Sequence, residues 1–365
     1  MNRLSTDSQI ISVTRFLCIF CMMYVHVNPG PRQESAVMTG DYQFLAWLLI
    51  ETSGRASVAA LSMISGFLLY DTVIRGLLKT IKDRFIVLYV PMIAWNVITI
   101  ALALLALSAG ISTTTAEILK SASQLDLLNN VTGLFDKTLG LPLFFLRDLF
   151  VSSCIIALAR PLIVAFPLVS VVVGLAAYFT DSLEPLVFRE SILLFMLFGF
   201  VLRHKRVSLA QMADPKIAIP AFISFFALML FMSQTQPDSS QLQNLVHLAS
   251  NLFKRLALVF GFLALSLVAV KIHFSGFFVK REPFIYPAFL SHAIVISTLY
   301  QVLVHIGLDP NQPIYVLFFL GAPVIALFCG SILYKVALRL PSTLSVLLIG
   351  KKTHRKSVAR GQEAT

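Results

Sequence analysis

The chain has 365 residues, of which 57% are hydrophobic and 13% are charged, and its formal net charge is +11. Soluble domains carry about 45–50% apolar and about 25% charged residues, so this composition excludes a water-soluble globular enzyme. Nucleic-acid binding is not predicted either, because the basic residues are spread over short segments between apolar runs.

Apolar runs dominate the chain from near its start to residue 337. Most are close to the length of about 20 apolar residues that a helix needs to cross a bilayer. The sequence therefore predicts an all-α, polytopic membrane protein with about ten transmembrane helices. The predicted spans are 9–27, 43–72, 85–108, 141–159, 162–178, 188–203, 217–233, 248–270, 284–306 and 313–337.

The second run contains a charged interruption, Glu-Thr-Ser-Gly-Arg at 51–55. Two interpretations stay open: one long helix, or a short outer piece followed by a spanning helix over 55–72. In either case, polar groups at membrane depth have to be buried in protein or line a wet cavity.

Lysine and arginine are enriched on the cytoplasmic side of membrane proteins. Most of the 29 basic residues fall into alternate connections if ten spans follow a cytoplasmic N-terminus, so both termini are predicted to be cytoplasmic. We expect a transmembrane domain over 1–345 and a basic, disordered cytoplasmic tail over 346–365.

Two ionisable residues lie in the first predicted span, Arg15 and His26. They are eleven positions apart, which places them on one helix face, about three turns and roughly 16 Å apart. Taken singly, the arginine could extend to lipid headgroups and the histidine could cap the helix. As a pair on one face, they favour a functional interpretation, because charges within spans are rare.

The stretch from Arg15 to His26 resembles the R-x10-H signature that opens the acyltransferase-3 membrane proteins. Further resemblances follow in the same order, and Phe144 stands where the family usually has tryptophan. The family's R-x-x-R spacing is absent from the basic turn after the second span. The resembling stretches are 57–69, 82–95, 141–149 and 285–292.

The resemblance implies a bacterial inner-membrane O-acyltransferase. Such proteins move acyl groups, commonly acetyl, from coenzyme A onto sugars of envelope and exported polysaccharides. The implied donor is acetyl-coenzyme A without a metal ion, and the implied acceptor is a glycan or lipid-linked sugar. Membrane lipid and other polysaccharide-synthesis proteins are the further partners that it implies.

Acyl transfer to a hydroxyl needs a base, and neutral His26 is our candidate because imidazole titrates near neutral pH. A hydrogen-bonded structural histidine is the alternative. Asp148, next to Arg147, is the first choice for a catalytic partner of His26, and Glu51 and Glu190 are other candidates. The Arg147–Asp148 pair could equally be a structural ion pair within the membrane.

Coenzyme A carries phosphates, which cations on the cytoplasmic side would bind. Lys79, Lys82 and Arg84 are the candidates, with Arg15 deeper along the path of the pantetheine arm. Ordinary positive-inside topology also explains the two lysines. His292 is predicted to be too far from His26 to be its partner, and either contacts the thioester arm or is structural.

Two other classes of function stay open. In a transporter or flippase, the same intramembrane charges would line a substrate path. Transporter folds often contain repeated halves, and this sequence shows no such duplication. The other class is a non-catalytic partner in a polysaccharide export complex.

Overall fold

The computed structural model describes residues 5–27, 43–110, 114–136, 138, 141–235, 240–307, 312 and 314–351. Within these residues all regular structure is helical, which confirms the predicted fold class. Ten helices occupy the positions of the ten predicted spans. They are α1 (Thr6–His26), α2 (Trp47–Arg75), α3 (Leu77–Ser108), α4 (Phe144–Ala165), α5 (Pro167–Thr180), α6 (Glu190–His204), α7 (Pro215–Gln234), α8 (Ser240–Lys271), α9 (Ser275–His305) and α10 (Tyr315–Ala337).

Eight of these helices in the described part of the chain are long and apolar enough to cross a membrane. The exceptions are α5 and α6, which have 14 and 15 residues. At 1.5 Å per residue they are about 21–23 Å long, shorter than a hydrocarbon core of roughly 30 Å. The predicted break near residue 160 is displaced, because α4 continues through Pro161 to Ala165 and shortens α5.

Glycine determines how closely α2 and α6 pack. A Cβ atom added to Gly66 would lie 1.8 Å from the carbonyl oxygen of Met196, and one added to Gly199 would lie 1.9 Å from that of Met63. The two helix backbones are therefore in direct contact, which is how small residues pack helices inside membranes. Gly66 lies within 57–69, one of the stretches that resemble the acyltransferase-3 proteins. The close packing of α2 on α6 explains why a glycine stands there.

The charged interruption at 51–55 does not break its helix. The helix is continuous from Trp47 to Arg75, and its first part, Trp47–Gly54, has wider π-helical turns. Of the two open interpretations, the single long helix is therefore the correct one. Gly54 lies against the backbone of Cys21 in α1, so this wide segment packs on the α1 end that carries His26.

Helix α1 is central to the bundle and packs on α2, α8 and α9. The hydroxyl groups of Thr14 and Ser266 are 2.7 Å apart and join α1 to α8 in a buried position. A final helix, Ser342–Ile349, packs on α3, where the Trp95 indole N–H donates to the Leu348 carbonyl oxygen. The predicted domain boundary at 345 falls within this helix, and residues 352–365 of the predicted tail lie outside the described residues.

Candidate active site

Two polar pairs join the parallel helices α1 and α9. At one end, Arg15 Nη1 lies 2.8 Å from Glu282 Oε1. Toward the other end, the rings of His26 and His292 pack edge to face, with centroids 5.1 Å apart and an interplanar angle of 61°. The two pairs are separated by eleven positions on α1 and ten on α9, about 16 Å and 15 Å along the axes.

The prediction that His292 is too far from His26 was wrong. Helix α9 begins at Ser275 and not near residue 284, so His292 lies 17 positions, about 26 Å, from its start. The first turns contain Lys280, Arg281 and Pro283, which lower the local hydropathy. This part of the helix is therefore not an apolar run in the sequence. The additional turns bring His292 level with His26.

The surroundings of His292 indicate which of its nitrogens carries the proton. Its side chain is fully buried, and its Nδ1 contacts the carbonyl oxygen of Phe289, one turn earlier. Because a carbonyl oxygen only accepts, Nδ1 is assigned as the donor and Nε2 keeps its lone pair. Nε2 is buried and has no hydrogen-bond partner among the described residues, while the His26 ring packs on the same imidazole.

The opposite end of the α1–α9 contact is half-exposed and basic. Glu282 also accepts a hydrogen bond from the Ser12 hydroxyl, at 3.2 Å. Arg84 donates to the Ser65 hydroxyl at 3.3 Å and is close enough to Arg15 for the two charges to repel. The Tyr286 hydroxyl donates to the Val87 carbonyl oxygen at 2.6 Å and joins α9 to α3.

The structure thus brings together two of the cations predicted to bind the donor, Arg15 and Arg84. The other two, Lys79 and Lys82, lie exposed on the first turns of α3, the same segment that carries Arg84. Glu282 was not predicted as a site residue. The sequence contained a signal that could have identified it: Glu282 and His292 have nearly the same spacing on α9 that Arg15 and His26 have on α1.

The neighbouring residues Arg147 and Asp148 form a buried ion pair at the start of α4, with Arg147 Nη1 and Asp148 Oδ1 2.9 Å apart. Asp148 also accepts from the backbone N–H groups of Phe188 and Arg189, at 3.3 and 3.0 Å. The Arg147 guanidinium stacks over the Phe188 ring, 3.9 Å from its centroid. It also donates to four backbone carbonyl oxygens, those of Gly133, Leu134, Pro185 and Leu186.

Through these contacts, the pair holds two connecting segments against α4: the one that precedes α4 and the one between α5 and α6. The three carboxylates considered as partners of His26 all have other contacts, since Glu51 lies 2.9 Å from Arg55 Nε and Glu190 accepts from the Leu183 N–H at 3.2 Å. Within the described chain, no hydrogen bond joins His26 to Asp148, Glu51 or Glu190. The polar side chain packed on His26 is that of His292.

Cations near His26 were also not predicted as site residues from the sequence. Arg55 and Arg189 lie within electrostatic range of its imidazole. Lys254 and Arg255 lie about halfway along α8 and interact electrostatically with Arg55 and Arg189, respectively. The available signal was that these four residues are not among the basic residues of the connections predicted to be cytoplasmic. No group of three or more His, Cys, Asp or Glu side chains in the described ranges could hold a metal ion.

The chain matches a family model described as an acyltransferase domain over residues 9–334. It is 26% identical over 366 aligned residues to the succinoglycan biosynthesis protein ExoH of Rhizobium meliloti (strain 1021), with 96% of this chain and 94% of that protein covered. No solved structure matches the chain. Since the family model covers nearly the whole chain, the chain belongs to the acyltransferase-3 family.

Proposed function

We propose that this protein is an O-acyltransferase of the bacterial inner membrane. It transfers an acyl group, acetyl in the simplest case, from acyl-coenzyme A on the cytoplasmic side to a hydroxyl group of an envelope or exported polysaccharide sugar. The family supports acyl transfer, and the polysaccharide acceptor is supported by the name of the relative, a succinoglycan biosynthesis protein. Membrane lipid surrounds the protein, and other polysaccharide-synthesis proteins supply the acceptor.

The observation that carries this proposal is the α1–α9 contact. A basic, half-exposed end with Arg15 and a half-buried end with His26 lie about 16 Å apart on one helix face. A thioester arm that lies along this face would have its phosphates at the first end and its acyl group at the second. Positioning of two reactants in this way accounts for a large part of the rate of a group transfer.

His26 is the proposed general base. Its imidazole takes the proton of the acceptor hydroxyl while the hydroxyl oxygen bonds to the acyl carbon and the carbon–sulfur bond of the thioester breaks. The imidazolium then returns the proton to the departing sulfur, so charge and protons balance. A base works best when another group holds it in one orientation.

His292 takes the positioning role that the sequence had suggested for Asp148. Its Nδ1 is engaged by the Phe289 carbonyl oxygen, and its Nε2 lone pair is buried without a partner in the described chain. Nε2 accepts the N–H of His26 as the site closes on its substrates and thereby holds the other His26 nitrogen in its basic form. Arg147 and Asp148 keep a structural role.

At the cytoplasmic end, Arg15 and Arg84 bind the anionic part of the donor. Guanidinium groups match phosphate oxygens with paired N–H donors, whereas Lys79 and Lys82 contribute as mobile point charges. Because Glu282 is paired with Arg15, the donor phosphate has to compete with this carboxylate. The half-exposed position of the pair makes such an exchange feasible.

The test is transfer of radiolabelled acetyl from acetyl-coenzyme A to an extracted polysaccharide acceptor by the purified protein. His26→Ala should abolish transfer and remain inserted and monodisperse, and His247→Ala, on α8, is the matched control. Transfer retained by His26→Ala would contradict the assignment. Absence of a thermal shift of the wild-type protein with millimolar acetyl-coenzyme A would favour the transporter or assembly roles instead.

A further inference from the structure

A cavity lies in the connection between α3 and α4. Two short helices, Thr114–Lys120 and Gln124–Thr132, and the turn at 133–136 line it. Its volume is about 350 Å³, within the range of roughly 300–1,000 Å³ that is usual for ligand pockets. The cavity therefore has room for a small organic group.

Apolar and polar side chains both line the cavity. Ile118, Leu125 and Phe135 are exposed there, so an apolar surface with an aromatic ring is accessible. Asp126 and Asp136 add two carboxylates, and the hydrogen bonds that Asp126 accepts at the start of its helix use only Oδ2. A sugar ring has both kinds of surface: C–H groups on its faces pack on aromatic rings, and hydroxyl groups at its edge donate to carboxylates.

Asn130 gives the cavity a buried polar group. The residue lines the cavity and is only 8% exposed. Its side-chain amide has no hydrogen-bond partner in the described part of the chain. Buried amides are almost always hydrogen-bonded, so the partner of this one has to come from within the cavity. A hydroxyl group, which both donates and accepts, matches the amide oxygen or the amide N–H.

Asn129 fixes the turn that carries Phe135 and Asp136. Its Oδ1 accepts from the backbone N–H groups of these two residues, at 2.8 and 3.0 Å, and its Nδ2 donates to the carbonyl oxygen of Asp136 at 3.2 Å. Three hydrogen bonds from one amide hold the turn in one conformation. The aromatic ring and the carboxylate are therefore in place before a ligand arrives, which lowers the entropic cost of binding.

The end of the second short helix is anchored to the transmembrane helices. Asn96 of α3 donates to the Val131 carbonyl oxygen at 3.0 Å, and Arg147 of α4 donates to that of Gly133, also at 3.0 Å. Both donors lie in buried positions of their helices. The cavity therefore keeps a defined position relative to α3 and α4.

The cavity lies at the end of the bundle that carries His26. Met196 of α6 packs on Gly66 of α2. Further along both helices, Arg203 pairs with Asp71 at 2.8 Å, so α2 and α6 run in the same direction. The start of α6, which the buried ion pair of α4 contacts, therefore lies beside the first part of α2. That part of α2 packs on the α1 end with the proposed base, so the cavity and the base face the same side of the membrane.

We propose that this cavity docks one sugar residue of the acceptor glycan while another residue of the same glycan is acylated at His26. The docked ring packs on Phe135, and its hydroxyl groups bind Asn130 and the carboxylates of Asp126 and Asp136. This inference rests on the proposed acyl transfer and adds a length requirement to it. An acceptor that occupies both sites binds more tightly than a single sugar does, because two linked contacts act together.

The experiment compares acceptors of different length with the full-length protein in nanodiscs. Oligosaccharides of graded length, and monosaccharides, are prepared from the extracted polysaccharide, and acetyl-coenzyme A is the donor. The variants are Phe135→Ala, which removes an exposed ring, and Asn130→Ala, which removes the buried amide. Leu134→Ala is the matched control, because Leu134 is exposed next to Phe135 but does not line the cavity.

We expect the wild-type protein to have a lower KM for long oligosaccharides than for monosaccharides. Phe135→Ala and Asn130→Ala should each raise the KM for long acceptors about tenfold, with kcat and the KM for monosaccharides unchanged. Leu134→Ala should keep the wild-type values. Asn130→Ala should also keep the wild-type Tm, because its amide loses no hydrogen bond within the described chain. A KM that does not depend on acceptor length, or variants that affect all acceptors alike, would overturn the docking site.

Failure of the underlying acyl transfer gives a different result. If the wild-type protein transfers no acyl group to any acceptor, the proposed function is contradicted, and the docking site is judged by binding alone. Long oligosaccharides titrated without donor should then bind the wild-type protein and Leu134→Ala about tenfold more tightly than Phe135→Ala. Equal Kd values in the three proteins, or no binding to any of them, would contradict the docking site itself.

Discussion

Two arginine–carboxylate pairs of nearly equal length have very different surroundings. The Arg147–Asp148 pair is 2.9 Å long with side-chain exposures of 6% and 0%, and the Arg15–Glu282 pair is 2.8 Å long with exposures of 38% and 31%. The first is surrounded by backbone groups from two connecting segments, and the second has one additional hydroxyl donor, from Ser12.

The length of an ion pair therefore does not identify its role. A buried pair with every polar atom engaged holds the fold, because removal of one partner leaves a charge without water or a counter-ion. A half-exposed pair is worth little to stability; water can replace either partner, and an incoming anion can replace the carboxylate. We therefore propose Arg15–Glu282 as the pair that exchanges with substrate and Arg147–Asp148 as the structural pair.

The largest expected effect comes from breaking the buried pair. Arg147→Gln leaves Asp148 charged and buried, so we expect a loss of about 3–5 kcal/mol of unfolding free energy, measured by denaturant titration in micelles. Arg147→Gln combined with Asp148→Asn should recover part of the loss, because no net charge stays buried. An Arg147→Gln protein of wild-type stability without acyl-transfer activity would instead assign Arg147 to the chemistry.

The next effect concerns the half-buried end of the α1–α9 contact. His292→Ala should lower kcat about tenfold to a hundredfold with an unchanged KM for the donor, because His26 loses the group that orients it. His292→Gln should recover part of the rate, since its amide oxygen can accept the same N–H. Equal losses in both variants, together with a lower Tm, would show that His292 only supports packing. His305→Ala, at the exposed end of α9, is the control.

A smaller effect is expected at the half-exposed Arg15–Glu282 pair. Glu282→Gln should lower the KM for acyl-coenzyme A about twofold to fivefold with little change in Tm, because Arg15 no longer has a competing carboxylate. Arg15→Gln should raise the same KM. Glu117→Gln, which breaks the exposed Glu117–Lys120 pair, is the control and should change neither quantity. A raised KM in Glu282→Gln would contradict competition between Glu282 and the donor.

Helix positions were largely predictable, because apolar runs reflect burial in lipid or protein one segment at a time. Apolar runs do not mark a helix where it contains charged residues or proline, as at the start of α9 and where α4 continues through Pro161. Both errors moved helix ends by several residues. The error at α9 changed the functional interpretation, since it placed His292 at the wrong depth.

The candidate site was only partly predictable. The α1 face with Arg15 and His26 follows from helix periodicity, which is a local property of the chain. Partners on other helices do not follow from it: His292 replaced Asp148 beside His26, and Glu282 appeared beside Arg15. The cations near His26, Arg55 and Arg189, come from α2 and from the connection between α5 and α6, which no local pattern relates to each other.

By itself, the sequence determined the helical membrane architecture, the family and the polar face of α1. Which side chains meet across helices, such as His26 with His292 and Arg15 with Glu282, follows only from the packing of the helices. The physical reason is that apolar periodicity acts within a single helix. Lateral pairing depends on how closely backbones approach, as at Gly66 and Gly199, and on the depth at which each helix begins.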